Sequence, residues 1–258
     1  PVGDLAVRFR AGWGRGIRPP EPGMSRGMTG VTMRQEANPE LAPESQAGFE
    51  LGADLYAGAT SYVRATYFDQ RASDLIQSVM LPYQPGTLRA YQFQNVGAIR
   101  NRGFEIEAGT RRGRLGIDAQ LYFTSSRVER VSPTYSGSLR VGDQLPEIPE
   151  ASGAARLSYL GSRFQVALGA TYLGPWTGYD WAGVALADAG VYQGASTRDY
   201  LTRYRSLVKP YLTFSYDLVR ELTSYLSIDN VTNSSRFEQH NGNPPAGRSV
   251  MIGIEFRP

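Results

Sequence analysis

Apolar and polar residues alternate along most of this chain, and no other feature restricts its fold so strongly. In the last stretch, GRSVMIGIEFRP, Val250, Ile252 and Ile254 fall on one side, whereas Ser249 and Glu255 fall on the other. Successive side chains of a β-strand point to opposite faces, so a period of two predicts strands with one apolar face. Helical periodicity is nearly absent, and we therefore expect an all-β protein.

The alternation predicts ten strands. They lie at about 3–13, 44–58, 60–77, 96–110, 114–128, 150–161, 163–174, 204–218, 221–231 and 247–257. Each is far longer than the ~5–6 residues of an average soluble strand, and a tilted strand needs only about 9–11 residues to cross a bilayer.

The predicted connections alternate between short and long. Short turns lie near 58–60, 111–113, 161–163 and 219–221, and long polar loops lie near 14–43, 78–95, 129–149, 175–203 and 232–246. A soluble two-sheet protein shows the same alternation but does not sort its loop lengths in this way. The pattern favours part of an antiparallel transmembrane β-barrel, with short periplasmic turns and long extracellular loops.

The composition excludes several other classes of protein. The 258 residues include no cysteine, so disulfides and cysteine metal sites are impossible. No apolar run is long enough for a spanning helix. The net charge is +3, but the arginines are scattered and form no basic stripe, so we expect no nucleic-acid partner. The 16 tyrosines and 29 glycines suit a barrel with aromatic girdles.

Four stretches, in order, carry a family resemblance. They are GWGRGIRPPEP; NPELAPESQAGFELG; ATYFDQRASDLIQ with YQFQNVGAIRNRGFEIEAG; and YLSIDNVTNSSRFE with GRSVMIGIEF. Together they resemble the C-terminal part of the barrel of TonB-dependent outer-membrane receptors. The chain departs from that pattern at Phe237, where the family often has tyrosine, and at Pro258, where it usually ends on an aromatic residue.

The sequence indicates a structural role for some residues of these motifs. We interpret the glycines of GWGRG as the end of the first strand. Gly103 lies within a predicted strand, where a close approach by backbone or an aromatic ring is expected. Asn230 and Asn233 suit the turn that leaves a strand.

The resemblance implies a larger protein. Residues 1–258 would be the C-terminal segment of the barrel, without the plug domain and the N-terminal strands. The family implies the outer membrane of a Gram-negative bacterium, with outer-membrane lipid and the plug domain of the same full-length chain as partners. It also implies contact with the TonB complex through the missing N-terminal part. The function would be TonB-energised uptake of a scarce extracellular ligand, a metal chelate and foremost a ferric siderophore, without a cofactor.

Charged residues on the polar strand faces are expected to line the lumen or to face the plug. They are Arg8, Arg10, Glu50, Asp54, Arg64, Glu105, Glu107 and Asp118. Glu105 and Glu107 share a face, and paired carboxylates also serve glycosidases. We favour the lumen interpretation, because charged side chains are expected in a water-filled or plugged interior.

The long loops hold the candidate ligand contacts. These are the aromatic residues Trp176, Tyr179, Trp181 and Tyr192, together with His240, which is the only histidine. The aromatics suit either stacking on a planar or sugar-like ligand or anchoring at the membrane interface. Both interpretations remain open at this stage.

Two alternative functions would have different sequence requirements. A small ten-stranded barrel that acts as a rim enzyme would need paired acids and a His–Asp pair, and only His240 is available. A passive porin would lack a plug and the NPELAPE and NVGAIRNRGFEIE signatures. No nucleotide-binding, metalloprotease or serine-hydrolase motif is present, so we expect no catalytic residue, no metal site and no enzyme activity.

Overall fold

The computed structural model describes residues 5–82, 86–188, 196–243 and 245–256. The strands are β1 (Leu5–Arg18), β2 (Met28–Thr29), β3 (Met33–Glu36), β4 (Glu44–Ala57), β5 (Ser61–Ser73), β6 (Ile76–Met80), β7 (Arg89–Asn95), β8 (Gly97–Arg112), β9 (Leu115–Val131), β10 (Ala151–Leu160), β11 (Phe164–Leu173), β12 (Trp176–Tyr179), β13 (Leu201–Tyr204), β14 (Leu207–Val219), β15 (Leu222–Asp229) and β16 (Ser249–Phe256). One helix, α1 (Trp181–Asp188), and a 3₁₀ turn, Thr197–Tyr200, precede β13.

Ten long strands form one antiparallel sheet, as predicted. Its order is β1-β4-β5-β8-β9-β10-β11-β14-β15-β16, so every strand pairs with the next long strand along the chain. The connections at 58–60, 113–114, 161–163 and 220–221 are short and lie at one edge, and the long ones lie at the other. Among the described strands, β1 pairs only with β4 and β16 only with β15, so the sheet is a portion of a barrel.

Two predicted strand ends were wrong, and three predicted loops contain strands. The first strand does not end at the GWGRG glycines, because Gly12 and Gly14 lie inside β1 and face Glu50 and Gly48 on β4. The strand predicted over 60–77 ends at Ser73, where Asp74 adopts a φ of 57° and the chain turns. The regions predicted as loops at 14–43, 78–95 and 175–203 contain the short strands β2, β3, β7 and β12.

The main sheet has one apolar face. Phe9, Ala53, Ala65, Ile106 and Leu121 stand side by side on five neighbouring strands. This face is open, and the side chain of Phe9 is 80% exposed. An apolar surface that extends over ten strands requires an apolar environment, which the hydrocarbon core of a bilayer supplies.

The packed core lies at the loop end of the sheet, where the long connections pack against the strands. Val96, Ile99, Val128 and Leu139 form a buried cluster where β8 and β9 meet the loop at 132–150. A second sheet, of order β2-β3-β7-β6, joins the loop after β1 to the loop after β5 through the parallel pair β3–β7. The long loops therefore fold together at one end of the sheet.

In the described part of the chain, no helix has the length and apolar character needed to cross a membrane.

Candidate functional site

The register brings the charged residues predicted from the sequence to one face. Arg8 lies opposite Asp54, Asp54 opposite Arg64, and Arg64 opposite Glu107, so one row alternates in sign across four strands. Cross-strand pairs of opposite charge stabilise a sheet. By the same register, all eight charged residues predicted to line the lumen lie on this one face. They are Arg8, Arg10, Glu50, Asp54, Arg64, Glu105, Glu107 and Asp118.

Asp54 is the most closely held of these groups. Only 3% of the residue is exposed. Arg10 donates to its carboxylate from Nε at 3.1 Å and from Nη2 at 2.9 Å, and also donates from Nη2 to Oγ1 of Thr66 at 3.0 Å. A guanidinium that binds a carboxylate with two nitrogens forms a strong and directional pair.

The neighbouring arginine has a different environment. Arg64 lies 3.5 Å from the carboxylate of Glu107, and its guanidinium stands 4.6 Å from the centre of the Tyr62 ring. These groups border a polar cleft of about 320 Å³, whose charged lining residues are Arg8, Arg10, Asp54, Arg64, Glu105 and Glu107. Three cations and three anions balance, so the cleft suits water or a polar protein surface.

A second cavity lies among the long loops. It has a volume of about 200 Å³ and is bordered by β6, the loop at 132–150, β12, α1 and the 3₁₀ turn. Its lining includes Gln77, Met80, Tyr135, Ser138, Glu147, Tyr179, Trp181 and Thr197. Of these residues, the sequence pattern indicates only Tyr179 and Trp181.

Most polar groups of this loop pocket are neutral. Tyr135 donates to Oε1 of Gln77 at 3.1 Å, and burial raises the pKa of its phenol to about 12. Burial also raises the pKa of Tyr179, whose hydroxyl forms a hydrogen bond with Ser138. The pocket therefore presents aromatic faces and hydroxyl groups that stay protonated at neutral pH.

The aromatic residues predicted to contact a ligand differ in their location: Trp176 is buried between two loops, whereas Trp181 borders the pocket. Trp176 is 2% exposed, stacks on Tyr204 with ring centres 5.3 Å apart, and donates from Nε1 to the carbonyl of Gln239 at 2.8 Å. It thus joins two loops. Trp181 borders the pocket and packs edge-on against His240, with centres 6.0 Å apart. Tyr192 lies outside the described residues.

Two carboxylates hold the loops to one another. Asp143 accepts from Nη1 of Arg198 at 2.5 Å and from Nη2 at 3.1 Å, and this pairing lowers the pKa of the Asp143 carboxyl. Asp180 accepts from Nδ2 of Asn241 at 2.5 Å and from the amide of Gly183 at 2.8 Å, and these bonds lower its pKa.

The described ranges contain no group of three or more His, Asp or Glu side chains placed to hold a metal ion.

One antiparallel sheet of long strands, apolar on one face, charged on the other and closed at one end by folded loops, defines the wall of a transmembrane β-barrel. The sequence profile described as "TonB dependent receptor-like, beta-barrel" matches residues 3–231. This chain belongs to that family.

One curated protein is similar to this chain in sequence, and two solved structures are similar to it in fold. The TonB-dependent receptor P26 of Formosa agariphila is 26% identical over 177 residues, which is 66% of this chain and 17% of that protein. The siderophore receptor PirA of Acinetobacter baumannii superposes with a TM-score of 0.71 at 13% identity, over 99% of this chain and 39% of PirA. The FrpB iron transporter of Neisseria meningitidis gives a TM-score of 0.66 at 19% identity, over 97% of this chain and 36% of FrpB. The chain thus spans well under half the length of these relatives.

Proposed function

We propose that this chain is the C-terminal part of an outer-membrane receptor that imports a ferric siderophore with energy supplied through TonB. The observation that carries the proposal is that the two faces and the loop end of one sheet differ in chemistry. Its apolar face suits lipid, its charged face suits a filled lumen, and its long loops fold around a pocket at one end. A receptor that captures a ligand outside the cell and passes it inward needs all three.

The charged face would meet the plug domain of the same full-length protein. The alternating row Arg8, Asp54, Arg64 and Glu107 offers donors and acceptors that a folded plug can match. We propose that the eight charged residues of this face line the lumen. The TonB complex would act on the N-terminal part of the protein, and not on these strands.

The loop pocket would contact the ligand. Trp181 and Tyr179 supply aromatic surface, and Tyr135, Gln77 and Ser138 supply neutral hydrogen-bonding groups. Siderophores combine chelating oxygens with apolar and aromatic parts, which such a lining can accept. The names of PirA, a siderophore receptor, and FrpB, an iron transporter, support iron as the cargo.

We infer that the barrel performs no covalent chemistry. The imidazole of His240 accepts a hydrogen bond from the amide of Gly242 at 3.1 Å and packs on Trp181. Neither partner is an acid, whereas a rim enzyme would need an acidic partner to orient its histidine. A passive porin would lack the NPELAPE and NVGAIRNRGFEIE stretches that this chain carries.

Uptake of radioactive iron tests the proposal directly. Cells that lack the receptor and cells that carry it would be supplied with ⁵⁵Fe bound to a panel of siderophores under iron limitation. The proposal predicts uptake of at least one chelate that depends on the receptor and stops when a protonophore collapses the proton-motive force. Receptor-dependent uptake that a protonophore leaves unchanged would contradict TonB-energised transport.

Loop variants test the pocket. Trp181→Ala should lower uptake about tenfold, because it removes an aromatic wall of the pocket. Val31→Ala is the matched control, since Val31 is 95% exposed in a different long loop. Equal uptake by the two variants would remove the pocket from the proposal while leaving transport itself intact.

The mass of the native polypeptide tests whether these strands belong to a larger protein. An antibody against residues 175–203 should detect a band well above 28.3 kDa in outer-membrane extracts. A band at that mass would leave no plug for TonB to act through.

A further inference from the structure

Arginines form a row on the apolar side of the wall. Arg15 lies opposite Ala47, Ala47 opposite Arg71, Arg71 opposite Arg100, and Arg100 opposite Arg127. Five neighbouring strands thus carry four guanidinium groups in one lateral line. Residues two positions apart in a strand lie on the same face. The arginine line is therefore on the face of Phe9 and Ile106, opposite the face that carries the charge row of Asp54 and Glu107.

The arginine row lies just beyond an aromatic girdle. Going from the short-turn edge towards the long loops, the same face carries an aromatic band and then the arginines. The band consists of Trp13, Phe49, Tyr67, Phe104 and Phe123. Rings of adjacent strands touch, with centres 6.0 Å apart for Phe49 and Tyr67 and 5.0 Å apart for Tyr67 and Phe104.

The girdle fixes the depth of the arginines. Aromatic bands of membrane barrels lie at the level where the hydrocarbon core meets the headgroups. Residues on one face of a strand are two positions apart, which is about 7 Å along the strand. The arginine row lies one such step beyond Trp13 and Phe49 and two steps beyond Tyr67, Phe104 and Phe123. It therefore lies among lipid headgroups and not in the hydrocarbon core.

The row has more positive charge than its protein partners neutralise. Arg102 stands on the same face, one step below Arg100, which brings the number of guanidinium groups to five. Asp69 binds Arg100 at 2.5 and 2.9 Å, and Glu129 lies 2.9 Å from Arg71. Five cations face these two carboxylates, so the patch keeps a net charge of +3.

Like charges directly opposite one another destabilise a sheet. Arg71, Arg100 and Arg127 are nevertheless adjacent, and the side chains of Arg71 and Arg100 are 61% and 45% exposed. Arg127 donates to the carbonyl of Gly142 at 3.1 Å, which holds it at the edge of the loops. Such a patch is favourable where an external anion supplies the missing negative charge.

We propose that this arginine row binds the phosphate groups of a lipid headgroup in the leaflet next to the long loops. Guanidinium groups bind phosphate oxygens in pairs, and basic patches at the membrane surface recognise anionic headgroups. The row is a docking surface on the outside of the barrel. It depends on the wall spanning a membrane, as the proposed function does, but not on what the receptor transports.

Native mass spectrometry of the full-length receptor in detergent tests this assignment. The probes are lipid A, which carries two phosphates, and phosphatidylcholine, whose phosphate is balanced by a cation. Arg71→Gln combined with Arg127→Gln removes two cations and keeps the Arg100–Asp69 pair intact. We expect at least a tenfold loss of lipid A affinity and no change for phosphatidylcholine.

The chain supplies a matched control at the opposite edge of the wall. Arg111→Gln combined with Arg112→Gln removes the same charge from the short-turn end of β8. Lipid A binding should be unchanged in this variant, and an equal loss in both variants would overturn the proposal in favour of general charge attraction. Should the first variant fail to fold, Arg15→Gln removes one exposed cation of the row and should still weaken lipid A binding about threefold.

Inorganic phosphate separates a lipid site from a site for the free anion. Millimolar phosphate should leave lipid A bound, because the acyl chains add to its affinity. Displacement by phosphate alone would contradict a lipid site. Iron uptake by the arginine variants in living cells is a separate readout, and its loss or retention bears on transport and not on this surface.

Discussion

The ring of Tyr62 lies across the backbone of Gly109, its direct partner on the neighbouring strand of the wall. A Cβ atom at Gly109 would stand 2.6 Å from Cε1 of that ring. The same relationship recurs on the charged face for Phe68 with Gly103, Tyr211 with Gly169, and Tyr225 with Gly253. Aromatic rings thus fit into the charged face because glycine leaves room for them.

Adding a methyl group at these glycines should destabilise the wall by different amounts. A Cβ at Gly103 would meet the carbonyl oxygen of Phe123, which belongs to the backbone and cannot move aside, whereas the obstacle at Gly109 is the end of a side chain. We expect Gly103→Ala to lower the free energy of unfolding by about 3 kcal/mol and Gly109→Ala by about 1 kcal/mol. Urea unfolding of the receptor folded into vesicles measures both, and equal effects would contradict the backbone argument.

Asn230 should be indispensable for the turn after β15. It is fully buried, has a φ of 51°, donates to the carbonyls of Ser234 and Ala246 and accepts from the amide of Ser234. Asn230→Gly keeps the backbone conformation and removes all three bonds, so we expect a loss of about 2 kcal/mol.

Asn233 provides the control for that substitution. It also has a positive φ, of 53°, but it is exposed and accepts a hydrogen bond from the amide of Arg248. Asn233→Gly should therefore cost less than about 0.5 kcal/mol. Urea unfolding of the two variants compares them, and a cost for Asn233→Gly as large as that for Asn230→Gly would show that buried hydrogen bonds do not decide the effect.

The contact between two long loops should weaken in acid. Arg198 lowers the pKa of the Asp143 carboxyl, so the unfolded chain binds a proton more readily than the folded one. The stabilisation is then complete above the unfolded pKa, about 3.9, and is lost as the pH falls through the lower folded value. Spin labels at Val141 and Leu186 should show one distance at pH 7 and a broad range only once the pH has fallen well below the unfolded pKa of about 3.9.

Two comparisons make the acid experiment specific. Asp143→Asn should broaden the distance between the labels at every pH, because it removes the charge that titrates. Labels at Leu51 and Phe123, which lie in the wall, should keep one distance throughout. A change in the wall at the same pH would mean that the whole protein, and not the loop contact, responds to acid.

The sequence predicted the wall well because period-two alternation is a local property of each strand. Ten long strands with sorted connections followed from it, and so did the common parity of residues such as Asp54 and Glu107. Phe68 and Arg64 blurred the pattern in β5 because both lie on the charged face, where Gly103 makes room for the ring. A reader of the sequence can identify such a strand only when its partner is known.

The loops could not be predicted in the same way. The parallel pair β3–β7 joins segments from two different connections, and β7 is held by that pairing and by β6. The pocket brings Gln77, Tyr135 and Tyr179 together from three loops, and no local pattern marks Gln77 or Tyr135 as partners. The burial of Trp176 likewise depends on Tyr204 and Gln239, which lie far along the chain.

The most direct test of the account is the orientation of the wall in the membrane. The chain has no cysteine, so single cysteines can be placed along β8 from Phe104 to Ala108 in the full-length receptor and spin-labelled. Labels at 104, 106 and 108 should be reached by oxygen dissolved in lipid, and labels at 105 and 107 should not. Loss of this period of two, or its inversion so that 105 and 107 face lipid, would contradict a barrel wall with its charges inside.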